Sequence, residues 1–550
     1  MIEIICTNNG ESRNYPQGTT LQQVAVDMGF TNEPVYAAYV NNKLQELDFA
    51  LFNPYMVEFI GFKHPEGKRM YDRSLSFVLY KAVHDIFPGK KLKIEHSISN
   101  GYYCEIEGVD SVSVDQVVEI DSRMREIIKL DLPFIRKRML AEEAIKLFDE
   151  MGYHEKAQLL KTRAHLYSSV YYLDDVMDYF YGCLLPSTGY LKVFSIDKYY
   201  DGMLLRAPFR DNPNDVAELE LQDKMFDVLH EFKKWGRILD ISYMSNINQH
   251  IDDGSIGELI KISEALQEKK LAQIADMVAT RQPQPRLVLL SGPSSSGKTT
   301  TANKLAIQLK VAGFNPVTLS LDNYFVDREH TPRDENGEYD FEALEALDIP
   351  YLNKDLNALF SGETIDVPKF SFKDGKRFFD GEKMHLDANS IIIAEGIHAL
   401  NPKLTAHIDD SLKFRVYASA LTTLSLDNHN RIPTTDTRLI RRIVRDYRYR
   451  GYSAKDTIDR WPSVRRGEDK HIFPNQERAD IMFNTAMVYE TGVLKRYVEP
   501  ILQQVPPNCT AYREALRLLK FLSYVKPIPD DEIPPTSIMR EFLGGSSFKY

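Results

Sequence analysis

Cysteine is scarce in this 550-residue chain: Cys6, Cys104, Cys183 and Cys509 are far apart, and none sits in a CxxC pair. That excludes a disulfide framework and a zinc ribbon and fits a reducing compartment. Long hydrophobic runs are also missing. The most apolar stretches, such as residues 390–394, are short and bounded by charge or glycine, too short to span a bilayer. The opening MIEIICTNNGE has no basic region followed by an apolar run, so no signal peptide is expected. Together these absences predict a cytoplasmic protein without membrane attachment. Nor is there an excess of positive charge. With 68 Lys and Arg against 79 Asp and Glu, the formal net charge is −11. This argues against sequence-blind binding to a nucleic-acid backbone over the whole surface, while leaving room for a local basic site.

What is present reads as an ordinary globular composition, 43% hydrophobic and 27% charged, without low-complexity tracts. The chain is too long for one core, and length alone suggests two to four domains. Residues 1–61 alternate short strand-like runs with turns: MIEIICT, an NNG hairpin turn, a short amphipathic helix over 20–28, then VYAAYV and the run to MVEFIG. A small mixed sheet packed on one helix follows. Residues 74–87 have helical periodicity, and KLKIEHSISNGYYCEIEG reads as a hairpin. Ile256–Thr280 reads as one long helix, and the prolines of 282–285 mark the clearest boundary in the chain. Beyond it, RLVLL, VTLSL and SIIIA are three apolar strands, followed at once by SGPSSSGKTT, DNYF and EGIH. In open parallel sheets the ligand crevice lies at the C-terminal ends of the strands, which is where these motifs fall.

Residues 292–299, GPSSSGKT, satisfy GxxxxGK[ST] between a strand and a helix over 299–311. Gly292 and Gly297 let the backbone turn so that the amides of Ser294, Ser295 and Ser296 can face phosphate oxygens. Lys298 is placed for the β- and γ-phosphates, Thr299 for magnesium, and Thr300 closes the loop. Asp322 follows the second strand and is a candidate base or water-mediated magnesium ligand; a turn cap is the alternative. Glu395 ends a buried strand and is read as the second magnesium group or, again, as a cap. In 435–451, TDTRLIRRIVRDYRYRG, the residues Arg438, Arg441, Arg442 and Arg445 fall at i, i+3, i+4 and i+7 on one helical face, and Arg448 and Arg450 continue the charge. Such a stripe suits a lid closing over a transferring phosphoryl group; its alternative is a solvated basic face.

The ordered set GPSSSGKTT, SLDNYF, YDFE, VPKFSF, EGIH and TDTRLIRRIVRDYRYRG resembles the uridine kinase and phosphoribulokinase-like family over residues 286–492. The resemblance implies transfer of the γ-phosphate of ATP or GTP, with Mg2+, to the 5′-hydroxyl of a nucleoside such as uridine or cytidine. It implies Asp322 as general base, Tyr324, Phe341 and Phe370 lining the nucleoside pocket, Glu342 on the ribose hydroxyls, and Glu395 with Thr299 on magnesium. Arg438 would lie near the substrate and Arg441, Arg442 and Arg445 nearer the phosphates. The chain departs from the uridine kinase pattern at Glu342, where aspartate is usual, and at Phe370 and Ser371, where tyrosine and aspartate are usual. The pyrimidine-reading histidine has no counterpart near Asp374.

Residues 1–61 resemble a TGS domain, and the segment around FPGKKLKIEHSISNGYYCEIEG resembles the additional, editing-type domain of threonyl-tRNA synthetases. That family's HxxxH and CxxxH pairs correspond here to Arg73 and Phe77, and to Cys183 and Ser187, so only the cysteine is kept. Arginine and phenylalanine cannot replace imidazole bases or ligands, and neither hydrolytic editing nor zinc is expected. Cys183 is then read as a small buried hydrophobe.

The expected fold is multidomain α/β: a β-grasp module over 1–61, an α+β synthetase-like domain over 62–243, a helical linker over 244–285, a phosphate-loop kinase with a parallel sheet flanked by helices over 286–502, and an extended C-terminal strap over 503–550. The expected activity is a nucleoside kinase. The N-terminal half is expected to hold an RNA or nucleotide effector or to support a homo-oligomer. Two rivals are a kinase of a non-nucleoside sugar or alcohol, and an RNA-linked regulator that uses ATP binding as a switch.

Overall fold

The computed structural model describes residues 1–335 and 337–549. The N-terminal run folds as the sequence pattern dictates. Strand Ile2–Cys6 buries alternate residues, as period-two polarity requires, and lies between Ser12–Tyr15 (antiparallel) and Tyr55–Ile60 (parallel). Ala37–Val40 and Lys43–Gln45 complete a five-stranded mixed sheet. Helix Leu21–Asp27 packs on it, started by a capping box in which Thr20 and Gln23 satisfy each other's backbone amides.

Helix Pro65–Ile86 follows, with proline at its first position and its inner face deep in the core. The expected hairpin is Leu92–Ile98 with Gly101–Ile106, extended by Gly202–Arg206 and Ser195–Tyr199 into a four-stranded antiparallel sheet. A second antiparallel sheet holds Ile135–Leu140, Tyr167–Leu173 and Val176–Asp178.

The C-terminal half is built on five parallel strands in the order Asn315–Ser320, Ser390–Glu395, Leu287–Ser291, Lys413–Ser419, Ile481–Asn484. Leu287–Ser291 and Ser390–Glu395 are buried at every position, because helices cover both faces of a parallel sheet and leave no polar side. Helix Lys298–Val311 follows the first strand, and helix Ile256–Thr280 packs against it through Lys304 and Glu268, 2.7 Å apart. The multidomain α/β expectation therefore holds. No helix among the described residues is long and apolar enough to cross a membrane.

The expected extended strap over 503–550 needs correction. Helix Ala511–Leu522 occupies its first part, and Tyr524, Ile528, Ile538, Met539 and Phe542 are buried. The amphipathic spacing of Ala511, Ala515, Leu518 and Leu522 forms the helix, and the prolines act only beyond it.

One hydrophobic core runs from Tyr36 and the Pro65–Ile86 helix through Leu424, Leu426 and Ile432 to Phe542. Loop 424–433 enters the N-terminal half. Asn428 O accepts from Ile94 N (2.8 Å), Ser425 O from Met244 N (2.8 Å), and Asn430 Nδ2 donates to Tyr179 O (2.9 Å).

Candidate active site

The phosphate loop, residues 292–300, links strand Leu287–Ser291 to helix Lys298–Val311. Gly292 is required by packing, since a Cβ there would lie 1.9 Å from Ala418 O. Gly297 has φ +81°, the left-handed region that glycine tolerates. The loop's carbonyls are tied outward: Arg438 Nε donates to Ser294 O (3.0 Å), and Thr485 Oγ1 donates to Ser296 O (2.6 Å). Arg442 Nη1 donates to Ser294 Oγ (2.7 Å). The Ser296 amide is also engaged, donating to Pro293 O at 3.3 Å.

The sequence-derived acids converge on this loop. Glu395 Oε1 accepts from Thr299 Oγ1 at 3.4 Å and from Ser320 Oγ at 3.0 Å. Its pKa is pushed up to about 7, first by desolvation and then by the Asp322 carboxylate, against Lys298. Asp322 sits in a 3-10 turn, Leu321–Tyr324, and its carboxylate makes no hydrogen bond to any described residue. Desolvation raises its pKa, while Lys298, Arg450 and Arg445 oppose the rise. Lys298 Nζ donates to Pro293 O (3.0 Å), and desolvation lowers its pKa against the pull of Glu395, Asp322 and Glu541. Glu342 is half-buried and packs on helix Ala454–Gly467, where a Cβ at Gly467 would meet its own at 2.2 Å. Desolvation, opposed by Arg442, lifts its pKa to about 7.

The arginine face divides. Helix Thr434–Arg445 forms as the spacing predicts. Arg438 and Arg441, however, are fully buried, in ion pairs with Glu468 and Glu490. Arg438 also faces the Trp461 ring at 5.5 Å, and Arg441 donates to Thr485 O at 2.9 Å. The placement of Arg438 by the substrate, and of Arg441 as a lid cation, is therefore corrected. Each guanidinium is held by a buried carboxylate and by backbone oxygen, which fixes it in place. Arg442, Arg445 and Arg450 gather around the buried Asp446 at 3.2, 3.1 and 3.4 Å. Arg450 follows the helix in a π-helical turn, Asp446–Arg450, and desolvation and Arg445 lower its pKa to about 10.

The three aromatic residues expected at the pocket differ in setting. Tyr324 is sealed in the core beneath the site, its hydroxyl donating to Asp355 Oδ2 at 2.9 Å, so it lines no open pocket. Phe341 is exposed beside Tyr339, and Phe370 packs with Phe325 (5.6 Å) and Phe372 (5.2 Å).

Three acids carry no sequence signal. Glu468 Oε1 accepts from Ser294 N at 3.1 Å. Asp446 centres the arginines. Glu541, in the short helix Arg540–Leu543, accepts through Oε2 from Thr300 N (3.3 Å) and Thr300 Oγ1 (2.6 Å). No motif surrounds Glu468 or Glu541, and Asp446, although it lies within the arginine-rich motif 435–451, is masked there by the basic residues around it.

Magnesium fits this donor set. Among the described residues no cluster of three or more His, Cys, Asp or Glu side chains is placed to hold a metal. A hard cation that takes one carboxylate, one hydroxyl and phosphate oxygens needs no such cluster, and Glu395 with Thr299 would supply the protein's share.

In the N-terminal half, Arg73 pairs with Glu66 (2.6 Å) and donates through Nε to Cys183 O (3.1 Å). Phe77 is buried against Phe134 and Phe180, and Ser187 Oγ bonds Asp131 Oδ1. Burial pushes the half-buried Cys183 thiol up to about 11.

Residues 287–491 match the family described as Phosphoribulokinase / Uridine kinase. The N-terminal half matches threonine–tRNA ligases. That of Desulforamulus reducens is 34% identical over 191 residues, covering 34% of this chain and 30% of the relative. That of Citrifermentans bemidjiense is 29% identical over 244 residues, covering 42% and 38%. The chain thus spans under two-fifths of the length of these relatives. A solved structure described as a possible uridine kinase from Bacillus stearothermophilus is 20% identical, with TM-score 0.27, covering 39% of this chain and 98% of that one. A D-glycerate 3-kinase from Cryptococcus neoformans is 12% identical, also at TM-score 0.27, covering 38% and 89%. Behind a half that matches part of threonine–tRNA ligases, residues 287–491 thus form a domain that matches the phosphoribulokinase / uridine kinase family.

Proposed function

We propose that this protein transfers the γ-phosphate of ATP to the 5′-hydroxyl of a nucleoside. The observation that carries the reading is Asp322: a carboxylate with raised proton affinity and no hydrogen bond to a described residue, grouped with Lys298 and the Thr299–Glu395 pair. A base must be free to take the acceptor's proton, and Asp322 is. The loop amides and Lys298 hold the donor's phosphates. Thr299 and Glu395 would hold magnesium, which would supply neutralising charge to the phosphate oxygens. Glu342 accepts from the acceptor's hydroxyls. Arg442, Arg445 and Arg450, steadied by Asp446, stabilise the equatorial oxygens of the transferring group. Arg438 and Arg441 hold the loop's shape and do not touch the substrate.

The division proposed for the chain keeps 1–61 as a TGS-like module, 62–243 as a synthetase-like domain, 244–285 as linker, 286–502 as kinase and 503–550 as a C-terminal segment. The N-terminal half is a binding and regulatory unit for an RNA or nucleotide, because loop 424–433, which leads directly into the arginine helix, is seated in it.

The test is magnesium-dependent transfer from ATP across a panel of nucleosides, sugars and short polyols, with Lys298→Ala as control. Turnover on a nucleoside, lost in the control, supports the proposal. Turnover confined to sugars or polyols rejects the nucleoside assignment, and ATP binding without any turnover favours the RNA-linked switch.

A further inference from the structure

A second charged cavity lies far along the chain from the phosphate loop. Its wall combines Arg136 from strand Ile135–Leu140, Arg163 at the end of helix His154–Thr162, and Lys520 from helix Ala511–Leu522. Tyr167, Tyr179 and Cys183 are also on it, and no carboxylate is. Its volume of about 160 Å³ is roughly ten times what one water needs.

The cations are poorly matched by the protein. Lys520 Nζ forms no hydrogen bond or ion pair with any described residue. Arg163 donates through Nη1 to the Tyr179 hydroxyl (3.2 Å) and covers the Tyr524 ring (4.8 Å), but its Nε is buried without an acceptor. Arg136 reaches one acid, Glu46, at 3.4 Å, and that acid also accepts from Tyr171. Three like charges around one cavity repel each other, and the buried Arg163 Nε–H left without an acceptor is a further cost.

We propose that this cavity binds the phosphate or pyrophosphate group of a small phosphorylated molecule. A phosphate carries about −1.5 to −2 charge and three acceptor oxygens, which answers three cations better than one carboxylate does. The arginine forks match its oxygens, and Lys520 adds a point charge. Desolvation against the wall, with Arg163, Arg136 and Arg73 acting in the same sense and the Cys183 sulfur against them, pulls the Lys520 pKa down to about 8. That lysine therefore has reason to welcome an anion. The site is wired to the kinase. One turn before Lys520, Arg517 makes two bonds, 2.6 and 2.8 Å, to Asp436 in the first turn of the arginine helix.

The test is calorimetric titration of the full chain carrying Lys298→Ala, which disables the phosphate loop, with inorganic pyrophosphate. One remaining site is expected, weakened at least tenfold by Lys520→Gln or by Arg136→Gln. Both side chains are partly exposed, so the variants should fold, which circular dichroism checks. Absence of binding in the Lys298→Ala protein, or binding indifferent to both substitutions, overturns the proposal. Lys520-dependent binding of a structured RNA without any of pyrophosphate also overturns it, in favour of RNA. The readout is binding, so failure of the kinase reading leaves it intact.

Discussion

At the scale of single residues, the site stores its function as displaced proton affinity. Glu342 has a folded-state pKa of about 7, above its ordinary 4.5. A carboxylate raised in this way contributes stability below about pH 4.5 and loses it as pH rises through 7. Glu342→Gln should therefore melt higher than the parent at pH 8, with the gain shrinking toward pH 5, as differential scanning calorimetry at both values would read. The same substitution should raise the acceptor KM about 10–100-fold, from loss of a charged hydrogen bond, and leave ATP binding unchanged. Equal losses for acceptor and ATP would remove Glu342 from the acceptor site. Asp322→Asn should lower kcat about 10²–10⁴-fold with normal ATP affinity by equilibrium titration. A kcat within a few-fold of the parent would rule out Asp322 as base.

At the scale of elements, the arginine helix is half clamp, and its other half is the face for which the catalytic role is proposed. Breaking a buried ion pair from one side leaves an uncompensated charge, at a cost of about 3–5 kcal/mol. Glu490→Gln, which strands Arg441, should cost that much in urea unfolding, whereas Arg445→Gln should leave the midpoint nearly unchanged and depress kcat. The spacing of four arginines made the helix and its shared face legible, but could not divide them. Which ones turn inward is decided by Glu468 and Glu490, at separations of 30 and 49 residues in sequence. The phosphate loop was legible because all its parts lie within nine consecutive residues. Tyr324 was misplaced because its partner Asp355 belongs to another element, 31 residues on. Glu541 was invisible in a segment with no motif. Its carboxylate uses the Thr300 amide and hydroxyl that an incoming phosphate would claim, so Glu541→Gln should tighten nucleotide binding on the order of tenfold by calorimetry. Unchanged affinity would reduce that contact to a surface bond.

At the scale of the whole molecule, the two halves share a core. Helix Ala511–Leu522 bridges them: Arg513 bonds Glu58 (2.6 Å) and Asn42 (2.8 Å), Glu514 holds Arg69, and Arg517 holds Asp436. The intact chain should therefore unfold in one calorimetric transition, and a fragment lacking residues 1–243 should aggregate, having exposed the surfaces that receive loop 424–433. Two well-separated transitions, or a monodisperse fragment, would show that the halves are independent. The same wiring bears on biosynthesis. Thr300 and the carboxylate that meets it are 241 residues apart. At about 5–20 residues per second, the ribosome delivers the second roughly 10–50 s after the first. Throughout that interval the nascent loop lacks the carboxylate that meets it in the folded chain, and for most of it Arg438, Arg441 and Thr485, which tie its carbonyls, are missing as well.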